Sequence, residues 1–170
     1  MVKYKKYLQE ETKEELGFID YTDFAEDEFA EARLAFATDS KFCLSVVANN
    51  GFPIHNKKEV AFAGRSNVGK SSLINSVTNV SGLARVSNTP GRTQMINFFS
   101  QGDRFFIVDL PGFGYAKASK ESIKQWSQLT KDYLLGRKEL ETVFFLIDSR
   151  HVIKEIDENI MEILDKSAVS

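Results

Sequence analysis

Residues 59–64, Glu-Val-Ala-Phe-Ala-Gly, lose all polar alternation after their first member and run straight into a polar loop, Arg65-Ser66-Asn67-Val68-Gly69-Lys70-Ser71-Ser72. A strand that is apolar on both faces has to be covered on both faces. Leu73, Ile74 and Val77 then follow at helical spacing. A buried strand, a tight loop and a helix in immediate succession fit layers of helix packed on a mostly parallel sheet, an α/β architecture.

The rest of the chain repeats the theme. Apolar runs recur at Phe42–Ala48 before a turn-forming Asn-Asn-Gly-Phe-Pro, at 96–100, at 104–112 and at 142–148. The run at 96–100 is expected to pair through Gln-Gly-Asp with 104–110 as the one antiparallel element. Helical periodicity returns from Ser119 with Ile123, Trp126, Leu129 and Tyr133, stopping before Gly136. It returns again with Ile153, Ile156, Ile160 and Ile163 opposite Lys154, Asp157 and Glu158. These apolar residues read as core.

Charge divides the chain. Residues 10–40 hold eleven acids against Lys13 and Arg33, a net of −9, so with a total of −2 the remainder carries +7. The expected organisation is an acidic, partly helical extension over 1–41 and a globular domain over 42–170. Within the extension, Asp23 and Glu26 are a capping pair ahead of Ala25, Phe29, Ala32 and Phe36. The basic excess is compatible with RNA phosphate, though solvated surface alone more often explains such a value.

Several function classes drop out. One cysteine, Cys43, flanked by Phe42 and Leu44, excludes a disulfide framework and reads as buried filler. No apolar run approaches the ~18 residues that span a bilayer, and a cytoplasmic protein is expected. His55 and His151 lack companions at metal-ligand spacing, and there is no nucleophile, base and orienting-acid set.

Gly64 to Ser71 satisfies G-x-x-x-x-G-K-[ST] in the strand–loop–helix setting that the pattern needs. Glycines let backbone amides turn in around a phosphate, and the helix N-terminus adds partial positive charge. Lys70 is placed to bridge β and γ phosphates, and the Ser71 hydroxyl to hold Mg²⁺. Downstream, Asp109 ends a buried strand and Gly112 follows at the spacing D-x-x-G. Asp109 can reach the metal through water, and the Gly112 amide can approach a γ-phosphate because no side chain obstructs it. Between these blocks the polar stretch 86–95 offers Thr93, with Thr89 its nearest competitor, as a cap on Mg²⁺ and the third phosphate.

Four separated blocks, "EVAFAGRSNVGKSSLINSVT", "LARVSNTPGRTQMINFF", "VDLPGFGYAKAS" with the later Trp126, and "LIDSRH", resemble the EngB/YihA/YsxC family of bacterial ribosome-biogenesis GTP-binding proteins. The resemblance implies a Ras-like, three-layer P-loop fold, binding of GTP or GDP with Mg²⁺, and slow GTP hydrolysis. It further implies a role in assembly of the large ribosomal subunit, through rRNA or ribosomal protein, and in cell division and septation. No membrane or DNA partner is implied. It makes Thr93 the switch threonine, lays Gly91, Arg92, Thr93, Gln94 and Met95 along the nucleotide, and extends contact to Leu110 and Pro111 beside Asp109 and Gly112. In resembling GTPases the loop asparagine, here Asn67, helps hold a potassium ion; the alternative is that Asn67 simply tolerates the loop's backbone geometry. Arg65 and Arg92 are candidates for phosphate or rRNA contact, and each alone reads as surface charge. Phe113 stands where many such proteins carry a water-orienting glutamine, so the intrinsic rate is expected to be low.

One element of the family pattern is missing. The [NT]-K-x-D that reads guanine does not occur: Thr12-Lys13-Glu14-Glu15, Asn56-Lys57-Lys58-Glu59 and Thr130-Lys131-Asp132-Tyr133 all lack the final aspartate. The expectation is a C-terminal truncation, with the last strands of the sheet missing and 142–148 left as an apolar edge. Three readings follow: a GTPase switch in the parent protein, a nucleotide-binding module without useful hydrolysis, or a P-loop ATPase or kinase, which "DLPGFG" and "PGRTQ" fit poorly.

Overall fold

The computed structural model describes residues 25–36, 39–85, 95–113 and 120–167, the side chains of 120–127 excepted. Helix α1 spans Glu26–Phe36, strand β1 Ser40–Val46, β2 Lys58–Gly64, helix α2 Lys70–Val77, β3 Ile96–Gln101, β4 Phe105–Asp109, α3 Lys120–Gly136, β5 Leu140–Leu146 and α4 Glu155–Lys166. By its contacts the chain divides after Leu34, within α1. At the start of α1 the Glu28 carboxylate accepts from the Ala25 N–H at 2.8 Å, a cap two residues later than the expected Glu26. Asp23 lies outside the described residues.

The five strands form one sheet in the order β1-β3-β4-β2-β5. β2 runs parallel to both β4 and β5. β3 is antiparallel to β4 and to β1, so it alone runs against the other four. This is the expected mixed α/β sheet, with β1 as an additional outer strand beyond the hairpin.

Period-two alternation sends β2 into two cores. Ala61 and Ala63 face one cluster with Phe98, Val108, Leu129, Tyr133 and Leu134, against which Ile163 and Leu164 of α4 also pack. Phe62 faces the other with Ile74, Ala84, Phe99 and Ile107. The sheet is thus sandwiched between α3 with α4 on one side and α2 on the other. Each fully buried Phe or Ile contributes about 1.5–3 kcal/mol to holding the layers together.

Three readings from the sequence need correction. Ile153, read as core, is exposed, because it lies ahead of α4, which begins at Glu155. Cys43 is exposed rather than buried, because β1 is an outer strand whose register to β3 slips between Phe42 and Leu44. That irregularity leaves Lys41, Phe42 and Cys43 facing water. Asp157, assigned to the polar face of α4, is buried. Its Oδ2 accepts from the Lys154 N–H at 3.0 Å, so it turns in to cap the helix start.

Candidate functional site

The register of the sheet brings the two polar motifs together. Phe62 of β2 sits opposite Asp109 of β4, and both strands point the same way, so the loops after Gly64 and Asp109 leave the same end of the sheet. In open α/β sheets ligands bind outside the carboxyl ends of the strands.

The loop 64–69 is shaped by close approach. A Cβ on Gly64 would lie 2.9 Å from the Leu146 carbonyl oxygen and 2.9 Å from Val68 Cγ1, so a side chain there is excluded. Gly69 has open space around it but a φ of 102°, which L side chains rarely adopt. Asn67 holds a left-handed φ of 65°, a conformation asparagine tolerates better than most residues. Val68 donates to the Arg65 carbonyl at 3.2 Å, closing a turn. Within and after it, the amides of Asn67, Gly69, Lys70, Ser71 and Ser72 donate to no main-chain carbonyl among the described residues. A helix N-terminus with unclaimed N–H groups and a folded-in loop is a cradle for oxyanions.

Lys70 is buried and its ammonium pairs with Asp109 Oδ1, also buried. The Ser71 hydroxyl donates to Asp109 Oδ2 at 3.5 Å. A hydroxyl and a carboxylate converging beside a phosphate cradle make a hard-oxygen donor pair of the kind Mg²⁺ takes while keeping water and phosphate as its other ligands. No group of three or more His, Cys, Asp or Glu residues among the described residues offers an alternative metal site.

The D-x-x-G loop is stitched to the glycine loop. Leu110 N–H donates to Phe62 O at 3.0 Å, Ser66 N–H to Phe113 O at 2.9 Å, and Phe113 N–H to Gly64 O at 3.4 Å. The Ser66 hydroxyl donates to Gly112 O at 3.1 Å. Phe113 itself is buried and stacks on Phe145, with ring centroids 5.9 Å apart and planes within 7°. Leu110 and Pro111 are buried as well. Gly64, Arg65, Ser66, Asn67, Val68, Gly69, Lys70, Ser71, Ser72, Asp109, Leu110, Pro111 and Gly112 therefore gather at one end of the sheet. Met95 is described, just ahead of β3; Thr89, Gly91, Arg92, Thr93 and Gln94 lie outside the described residues.

A second buried polar group went unread in the sequence. Glu59, at the start of β2, is fully buried. Tyr133 OH donates to its Oε2 at 2.7 Å, and Arg137 Nε and Nη2 donate to Oε1 at 2.9 and 2.6 Å. His55 Nε2 lies 3.1 Å from the same oxygen, its ring stacked on Phe106. Burial and then the Glu59 charge push the Tyr133 phenol well above its ordinary range. Burial opposes the Arg137 charge, but the hydrogen bond and charge of Glu59 more than offset it, and its pKa rises. The one sequence signal was an acid at the mouth of an otherwise apolar strand. In the "LIDSRH" block, Arg150 donates to Asp148 through Nε and Nη2 at 2.9 Å each, holding that carboxyl well below the usual carboxylate range.

Residues 59–170 match the family model described as 50S ribosome-binding GTPase. The chain is 56% identical over 138 residues to a probable GTP-binding protein EngB of Ruegeria sp. (strain TM1040), covering 81% of this chain and 64% of that relative. It is 47% identical over 151 residues to the probable GTP-binding protein EngB of Hyphomonas neptunium, covering 87% and 69%. A crystal structure of a probable GTP-binding protein engB superposes with a TM-score of 0.52 at 26% identity, over 65% of this chain and 66% of that one. The chain spans a little under two thirds of the length of the Ruegeria relative.

Proposed function

This chain belongs to the EngB family of GTP-binding proteins, and we propose that it carries the phosphate-binding part of a slow, Mg²⁺-dependent GTPase switch. The observation that carries this reading is the set of amides of Asn67, Gly69, Lys70, Ser71 and Ser72, which meet no main-chain acceptor among the described residues, beside the buried pair of Lys70 and Asp109 and the Ser71 hydroxyl. In this reading residues 42–170 hold the nucleotide and 1–41 form an acidic extension.

The amides and the α2 N-terminus hold the polyphosphate, and Lys70 bridges its β and γ groups. Lys70 is already stripped of water by burial and by Asp109, so its turn towards phosphate exchanges one anionic partner for another at little desolvation cost. Ser71 and Asp109, joined by Thr93, would hold Mg²⁺, which supplies positive charge across the β and γ oxygens. The Gly112 amide senses the third phosphate, and residues 91–95 line the nucleotide. Phe113 is committed to packing on Phe145 and has no group with which to orient water. Turnover is therefore slow and gains from charge supplied beside the loop, the role we give to Asn67 and a potassium ion.

The biological setting is a cytoplasmic switch acting on large-subunit assembly, with rRNA or ribosomal protein as partner and consequences for cell division and septation. The family model's description as a 50S ribosome-binding GTPase supports it. Among the described residues no helix is long and apolar enough to cross a membrane. A second reading rests on the absent [NT]-K-x-D in these 170 residues. On that reading the chain grips phosphate with weak base selectivity and does not turn over usefully.

Titration of GTP against ATP with Mg²⁺, followed by turnover with and without K⁺, tests both. Tighter GTP binding and slow hydrolysis stimulated by K⁺ support the switch. Equal affinities without turnover support the binding module, and a clear preference for ATP refutes the proposed function.

A further inference from the structure

Ser66 makes contacts that phosphate binding alone does not require. Its main-chain N–H is given to Phe113 O at 2.9 Å and its hydroxyl to Gly112 O at 3.1 Å. Both bonds leave the glycine loop for the D-x-x-G loop, and neither uses an amide of the cradle that begins at Asn67. Packing repeats the message: a Cβ on Gly112 would lie 3.0 Å from Ser66 Cα and 3.0 Å from its Oγ. Gly112 is thus a point of close contact between the two loops.

The segment around Gly112 is pinned on both sides. Upstream, Leu110 N–H is fixed to Phe62 O; downstream, Phe113 exchanges bonds with Gly64 and Ser66 while its ring is buried against Phe145. Pro111 has no N–H. The Gly112 amide is thus the one main-chain donor from Leu110 to Phe113 that meets no acceptor among the described residues. Among the described residues, the Ser66 hydroxyl makes the one side-chain bond to this glycine.

We propose that Ser66 is a positioning residue for discrimination between nucleoside triphosphate and diphosphate: its hydroxyl holds the Gly112 carbonyl and its amide the Phe113 carbonyl, so that the backbone at Gly112 is fixed with its own N–H ready for a third phosphate. The proposal rests on the reading of the site as a polyphosphate cradle and assigns its selectivity. Ser66 acts on the γ-phosphate through Gly112, and the α and β phosphates do not depend on it.

The test is a fluorescence titration of the whole chain and of Ser66→Ala with a non-hydrolysable GTP analogue and with GDP, at fixed Mg²⁺. Loss of one partly buried hydrogen bond lowers the triphosphate-to-diphosphate affinity ratio about three- to tenfold, with GDP affinity held within about twofold. Ser66→Thr, which keeps a hydroxyl, retains the ratio. A thermal melt shows whether each variant folds. An unchanged ratio in Ser66→Ala, an equal fall in both affinities, or a Ser66→Thr chain that behaves like Ser66→Ala overturns the proposal. No preference for the triphosphate in the unmodified chain also overturns the proposal, whereas a chain that binds neither nucleotide takes the polyphosphate reading down with it.

Discussion

At Glu59, where β2 begins, a buried carboxylate is met by Tyr133, Arg137 and His55, and both its oxygens are claimed. At the other end of the same strand, Lys70 and Asp109 pair beside a row of amides that donate to no carbonyl among the described residues. Both ends bury an ion pair, and only one has hydrogen-bonding capacity to spare. The saturated end has the form of a fastener between α3 and the sheet. The unsaturated end has the form of a receptor, because N–H groups at a helix start that meet no protein acceptor among the described residues stand open to an anion that can pair them.

Substitutions can break this contrast. The largest expected effect is at the fastener: Glu59→Ala leaves Arg137 and Tyr133 facing a cavity, and urea unfolding should register a loss of about 3–5 kcal/mol. A loss below about 1 kcal/mol would show that the group is not structural. At the receptor, Lys70→Ala should lower GTP affinity roughly ten- to a hundredfold, about 1.5–3 kcal/mol, by calorimetric titration. Affinity unmoved by that change would remove the cradle from the argument altogether.

The smallest effect sharpens the fastener. Tyr133→Phe removes one hydrogen bond while Glu59 keeps Arg137 and His55, so stability at neutral pH should fall by about 1 kcal/mol. The alkaline limb is more telling. The folded phenol keeps its proton above the value of 10.0 at which an unperturbed tyrosine loses it. Its contribution is therefore complete below that pH and declines above it, by about 1.4 kcal/mol per pH unit, until the folded phenol also ionises. Tyr133→Phe should flatten that decline, and parallel alkaline curves for the two chains would mean that the phenol is not held as described.

Contiguous residues were enough to find most of this. The strand–loop–helix at 59–77, the β3–β4 hairpin and the Leu129 and Tyr133 face of α3 each declare themselves within a short contiguous stretch, since backbone geometry and hydrophobic periodicity are local properties. The sequence also named Lys70, Ser71 and Asp109 as functional, from residue type and spacing. Cys43 misled because its apolar neighbours say nothing about which strand ends the sheet. Asp157 misled because a carboxylate that caps its own helix has the same periodicity as one in water.

By itself, then, the order of residues determined the layered α/β plan and the glycine-framed cradle, whose amides and helix terminus come from one short stretch of chain. Only the tertiary structure decided that Lys70 rests on Asp109, that Ser66 clasps Gly112, and that Glu59 is locked by residues more than seventy positions away. Those pairings depend on strand order and register, through which residues remote in sequence come within hydrogen-bonding distance, and no local pattern carries that information.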